Sequence, residues 1–138
     1  MKKILFAFIL SALISAPAFA KCEGGNEYSG NNGHAYCVGP EMAWWAAFTW
    51  CKAQDRHVAS MLEMCPGWNG NTGRYGICQN LFGNDVFGGK YNYKTMWVSN
   101  PSGTDSAYVV GRGSGGYDTV EFVSTAERNA TGVRAVCY

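Results

Sequence analysis

The sequence predicts an α+β domain, with one or two helices packed on a small twisted antiparallel sheet and disulfides stapling the two together. Three observations carry this expectation. A helical apolar pattern lies in the first half, strand patterns follow in the second, and all six cysteines fall after residue 20. Helices first and then a run of strands is the order of folds whose helices sit apart from an antiparallel sheet.

Residues 1–20 stand outside that domain. Lys2 and Lys3 precede an apolar run from Ile4 to Ala16, which is short for a bilayer span; Pro17 and the A-x-A-like Ala18-Phe19-Ala20 follow. This pattern predicts a signal peptide cut before Lys21, a secreted or periplasmic address, and a single domain over 21–138. Export with an even cysteine count favours three disulfides, out of fifteen possible connectivities. Zinc would need close ligand pairs such as C-x2-C, and the spacing of Cys22, Cys37, Cys51, Cys65, Cys78 and Cys137 contains none. Eleven basic and ten acidic residues give a formal charge of +1 with no basic tract, so nucleic acid and anionic membrane are poor partners. No second apolar run is long enough to span a membrane.

Lys21 to Gly39 is rich in Gly, Asn and Ser and carries Cys22 and Cys37 near its ends, which predicts a hairpin or loop closed by a local bridge. Pro40 suits the first turn of a helix, and Glu41 suits that helix's positive end. Trp44, Trp45, Ala47, Phe48 and Cys51 then recur at three- and four-residue steps before Lys52, Gln54, Asp55 and Arg56 turn polar, predicting a helix from about 41 to 55. Its aromatic stripe reads as core packing. Val58-Ala59-Ser60 is a short strand or a helix exit. Met61 to Cys65 is a second helix capped by Ser60 and stopped by Pro66-Gly67. Residues 66–93 are irregular, with Cys65 and Cys78 placed to form a local clasp. Met96 to Ser99 is a strand ended by the Asn100-Pro101 turn signal. Ser106 to Val110 is another, Gly111 to Gly116 is a turn, and Thr119 to Val123 alternates as a strand. Val133 to Tyr138, β-branched and apolar, is a buried last strand.

These residues resemble the C-type lectin-like domain. The family opens with a cysteine-closed hairpin ending in a Tyr-Cys pair, matched by Cys22 and Tyr36-Cys37. Its helix reads M-x-W-x-x-A-x-x-x-C, matched by Met42, Trp44, Ala47 and Cys51. A G-x-x-L-A-S-like segment is matched by His57-Val58-Ala59-Ser60, a W-I-G-like strand loosely by Trp97-Val98-Ser99, and the closing strand by Arg134-Ala135-Val136-Cys137. The resemblance implies a disulfide from Cys51 to Cys137, tying the first helix to the last strand. A loop of that size is worth about 4–5 kcal/mol in the chain-entropy picture. It also implies Cys22–Cys37, with Cys65–Cys78 as an addition. The family's calcium triplets, Glu-Pro-Asn or Gln-Pro-Asp and Trp-Asn-Asp, are missing. Calcium needs six to eight oxygens, and Asp105, Asp118, Glu121 and Glu127 are well separated along the chain. No metal and no cofactor is therefore expected.

Other chemistry is weaker. Gly111-x-Gly113-x-x-Gly116 spells a dinucleotide fingerprint, but a strand pattern follows it where the mechanism needs a helix. His34 and His57 lie in a loop and at a helix end. There is no G-x-S-x-G elbow, and no catalytic constellation is expected. Trp68, Tyr75, Phe82, Phe87, Tyr91 and Tyr93 fall in Gly/Asn-rich stretches; some plug the core and the rest are available as a binding surface. Tyr91, Tyr93, Arg112 and Tyr117 are the ligand-binding candidates. Asn129-Ala130-Thr131 spells a glycosylation acceptor. The expected function is an exported binding module that recognises a protein or glycan surface without calcium and serves adhesion. A structural subunit of a pilus-like or cell-surface assembly, or a small exported hydrolase, are the alternatives.

Overall fold

The computed structural model describes residues 21–30, 33–74, 95–112 and 121–138, and the predicted signal peptide lies outside them. The strands are β1 (Asn26–Ser29), β2 (Ala35–Glu41), β3 (Gly73–Arg74), β4 (Thr95–Pro101), β5 (Ser106–Arg112), β6 (Glu121–Glu127) and β7 (Arg134–Cys137). The helices are α1 (Trp44–Ala53) and α2 (Met61–Met64). The strands form one seven-stranded sheet in the order β1-β2-β7-β4-β5-β6-β3. The α+β class and the disulfide staples are thus as expected. The sheet is antiparallel except for one pair, because β4 meets β7 in parallel through Met96 and Arg134.

Alternation along the central strands buries both faces of this sheet, since successive side chains of a strand point to opposite sides. Tyr36 and Val38, Met96 and Val98, Val110 and Val136 join Met61 and Met64 of α2 in one cluster. Cys37, Trp97, Val109, Ala135 and Cys137 join Trp44, Ala47 and Cys51 of α1 in the other. The two buried indoles of the α1 layer, Trp44 and Trp97, are also hydrogen-bonded. Trp44 Nε1 donates to Val98 O at 2.8 Å and Trp97 Nε1 to Met42 O at 2.7 Å, so the helix and β4 are sewn together by reciprocal donors. A buried indole N–H left unpaired would cost about 1–3 kcal/mol.

Two disulfides close this frame. Cys22–Cys37 clasps the β1–β2 hairpin to the segment before it, and Cys51–Cys137 ties α1 to β7. Cys37 and Cys137 face each other in the β2–β7 ladder, which places the two bonds side by side. Cys65 is also disulfide-bonded; its expected partner, Cys78, lies outside the described residues. Gln54 is buried, and it anchors the first segment. Its Oε1 accepts from Glu23 N at 2.7 Å, its Nε2 donates to Glu23 O, and its carbonyl takes Lys21 N.

Several boundaries differ from expectation. Pro40 and Glu41 do not start the helix: they end β2, where the register with β7 shifts between Val38 and Glu41. A proline has no N–H to give a ladder, and an exposed strand irregularity tolerates it as well as a helix start does. The helix begins at Trp44 behind Ala43, which offers no side-chain cap; Trp44 N donates instead to Arg128 O at 2.8 Å. At the other end Asp55 takes a left-handed φ of 57°, the position helices usually give to glycine. β4 runs through Asn100 to Pro101, past the turn signal read there, with its register to β5 shifting between Trp97 and Pro101. β5 extends over Gly111 and Arg112, the first residues of the expected glycine turn; Gly113 to Gly116 lie outside the described residues. β6 runs on to Glu127, past the expected end at Val123; Thr119 and Val120 lie outside the described residues. Val58 makes only an isolated bridge, to Cys137.

Candidate functional site

Three segments distant in sequence converge at the start of α1. Ser106 pairs with Glu127 at the mouth of the β5–β6 ladder, so the turn before β5 and the turn after β6 lie side by side. Ser102 N donates to Ser106 O at 3.1 Å and the two hydroxyls lie 3.0 Å apart, which fixes the β4–β5 turn. Ala130 N donates to Glu127 O at 2.9 Å, which fixes the turn after β6. Arg128 joins all three segments. Its N–H donates to Asp105 O and its carbonyl caps Trp44. Its Nε reaches Ser106 O at 3.2 Å and its NH2 reaches Gly103 O at 2.7 Å. Its guanidinium lies 4.5 Å from the Trp44 ring centroid and 5.1 Å from that of Trp45.

The result is an open cleft of about 410 Å³ lined by Trp45, Thr104, Asp105, Glu127, Arg128 and Asn129. Trp45 is 61% exposed although it is held edge-on against Trp44, with ring centroids 4.6 Å apart. Phe48 also packs edge-on against Trp44 and is 37% exposed. An indole of this size on a surface, fixed by its neighbours, offers a rigid contact with little ordering cost. Asp105 and Glu127 are exposed and make no ion pair among the described residues. Arg128 is turned instead to backbone carbonyls and indole faces. Asn129, the glycosylation acceptor of the sequence motif, stands exposed on the same rim.

The one described ligand-binding candidate, Arg112, lies away from this cleft. Tyr91, Tyr93 and Tyr117 fall outside the described residues, as do Tyr75, Phe82 and Phe87. Arg112 ends β5, where its backbone pairs with Glu121, on the far end of the ladder from the Ser106–Glu127 pair. Trp68 is a plug rather than a free surface: it packs on the α2 cluster, donates to Asn71 O at 2.8 Å and meets Tyr108 edge-on at 5.0 Å. The stripe on α1 read as core is in fact divided. Trp44, Ala47 and Cys51 are buried, while Trp45 and Phe48 face outward. Asp105 and Glu127, far apart in sequence, line the same cleft. Strand pairing carries that proximity, and a hairpin register between 106 and 127 was the signal available for it.

The histidines form a second cluster. His57 Nε2 lies 2.9 Å from Glu63 Oε1, and the rings of both His34 and His57 lie against Tyr138, at 4.9 and 5.5 Å. Ser60 caps α2 as expected, and Glu63, the third helical residue, completes a capping box with it: its Oε2 accepts from Ser60 N at 2.6 Å and its own N–H donates to Ser60 Oγ at 3.3 Å. Burial raises the Glu63 carboxyl. The Ser60 N–H, the His57 imidazole and the Ser60 hydroxyl outweigh it and hold the group below its ordinary value of 4.5. A carboxylate kept ionised with both oxygens engaged is suited to capping a helix; a general acid needs the opposite shift. Among the described residues no three His, Cys, Asp or Glu side chains are grouped to hold a metal ion, and no helix is long and apolar enough to cross a membrane. No known protein family and no curated protein matches the chain.

Proposed function

We propose that this protein is an exported, disulfide-stapled binding module of C-type-lectin-like fold that recognises a surface ligand, of protein or glycan, without calcium, and that the Trp45 cleft is its binding face. One observation carries the reading. A fixed indole stands exposed beside two carboxylates that have no ion-pair partner among the described residues. A large apolar ring held out of a stapled core serves contact better than stability. The fold attribution is supported by the Cys51–Cys137 bond and by the helix-to-last-strand arrangement it fixes, and the step from fold to role is one of analogy.

The test is binding of the oxidised protein to peptide and glycan arrays, with calcium and with a chelator present. Trp45→Ala is expected to abolish the signals, and calcium to leave them unchanged. Signals that survive Trp45→Ala would move the binding face away from this cleft. An assembly subunit is the second reading, favoured by Leu62, 60% exposed on α2, in addition to Trp45 and Phe48. Size-exclusion over a range of concentrations separates the two: a monomer throughout supports the free binding module, and concentration-dependent oligomers support the subunit.

A further inference from the structure

We infer that the Trp45 cleft takes the cationic end of a lysine or arginine side chain presented by a partner protein; this rests on the reading of the cleft as the binding face. The argument is charge complementarity on a fixed aromatic platform. Arg128 is the one cation among the described lining residues, and its Nε and NH2 are turned to Ser106 O and Gly103 O. Neither Asp105 nor Glu127 is neutralised by it or by any other described residue, so the cleft holds an aromatic face and a net negative charge together. Indole faces attract cations within about 6 Å of the ring centroid. Arg128 already shows the geometry on this ring, with its guanidinium 5.1 Å from the Trp45 centroid. An incoming ammonium or guanidinium would lie along the exposed part of the same indole, with its methylene stem on the ring and its head between the carboxylates. Thr104 and Asn129 supply neutral hydrogen-bonding groups at the rim. A neutral saccharide would use the ring and these groups but would draw nothing from the two charges.

The probes are hexalysine, hexaglutamate and chitohexaose, titrated calorimetrically into the oxidised wild type, Trp45→Ala and the double variant Asp105→Asn/Glu127→Gln. All three proteins are first checked for equal melting temperature. Hexalysine is expected to bind the wild type, to weaken as salt rises from about 20 to about 200 mM, and to lose about five- to tenfold in affinity in the double variant, as expected for two exposed ion pairs. Hexaglutamate is expected not to bind. Hexalysine that fails to bind, or that binds the double variant as tightly as the wild type, overturns the inference. Chitohexaose bound by the wild type and lost in Trp45→Ala, with hexalysine inert, overturns it in favour of a glycan and leaves Trp45 as the binding face. Any ligand held equally by the wild type and Trp45→Ala removes the binding face itself.

Discussion

Trp44 is 5% exposed and Trp45 is 61% exposed, although they are consecutive residues of one helix. At 3.6 residues per turn, the step between them carries the side chain from the sheet to solvent. Trp44 fills the layer between α1 and β4, donates its N–H to Val98 O, and supports Phe48 and Trp45 on its edges. Trp45 is supported by Trp44 and meets the Arg128 guanidinium, and most of it faces solvent. The same residue type thus does two jobs one position apart: the inner ring fixes the frame, and the outer ring is held ready by it.

The contrast is open to attack from the inner face outward. Replacing Cys51 and Cys137 by serine removes the bond that spans 86 residues of sequence, and should lower the unfolding free energy by about 4–5 kcal/mol in denaturant titration. A change under about 1 kcal/mol would mean that packing alone holds α1. Trp44→Ala should cost about 3–5 kcal/mol and, by freeing Trp45, should also weaken ligand binding. A stability loss with binding intact would uncouple the two rings. Gly39→Ala is a milder probe of the same layer. A Cβ there would stand 2.6 Å from the Trp50 ring, so a cost of about 1–3 kcal/mol in thermal melts is expected, reduced to the extent that the ring shifts.

The second helix supplies the finer tests. Ser60→Ala, which removes one half of the capping box, should cost about 1 kcal/mol. Because Glu63 titrates below its ordinary value of 4.5 when folded, its contribution is full above that value and is lost as the pH falls through the lowered folded value. Melting temperatures of the wild type and Glu63→Gln, compared between about pH 3 and pH 6, should therefore converge on the acid side. At the small end, Trp45→Ala should change stability by no more than about 0.5 kcal/mol, and a larger loss would make the outer ring a part of the core.

Much of the frame is legible in the residue pattern. The M-x-W-x-x-A-x-x-x-C run places Trp44, Ala47 and Cys51 on one side of a helix, and the capping box is spelled by Ser60 and Glu63. The Met96-Trp97-Val98 run is a recognisable strand, and Tyr36-Cys37-Val38 falls in the stretch legible as a hairpin or loop. Errors arise where one residue type serves two geometries. Pro40 and Glu41 carry helix-start chemistry, yet they occupy the irregular end of β2. The Asn100-Pro101 pair carries turn chemistry, yet β4 extends through it. The period of α1 marks Trp45 and Phe48 as apolar but does not show how wide a stripe the sheet can cover. The cleft was hidden for a different reason. Thr104, Asp105, Glu127 and Arg128 are brought to Trp45 by the register of β5 on β6, which only a hairpin alignment of the two strands could have signalled, and by the Arg128 carbonyl that caps α1, which leaves no local trace.

The position of the two described disulfides has a mechanical consequence. A pull applied at the two ends of the domain passes from Cys22 across to Cys37, along the backbone to Cys51, and across again to Cys137. Only the stretch between Cys37 and Cys51 can pay out, to roughly 50 Å at full extension. Everything from α2 through β6, the Asp105 and Glu127 rim included, hangs on a closed covalent ring that carries no tension, so a tethered copy of this protein keeps most of its sheet out of the line of force.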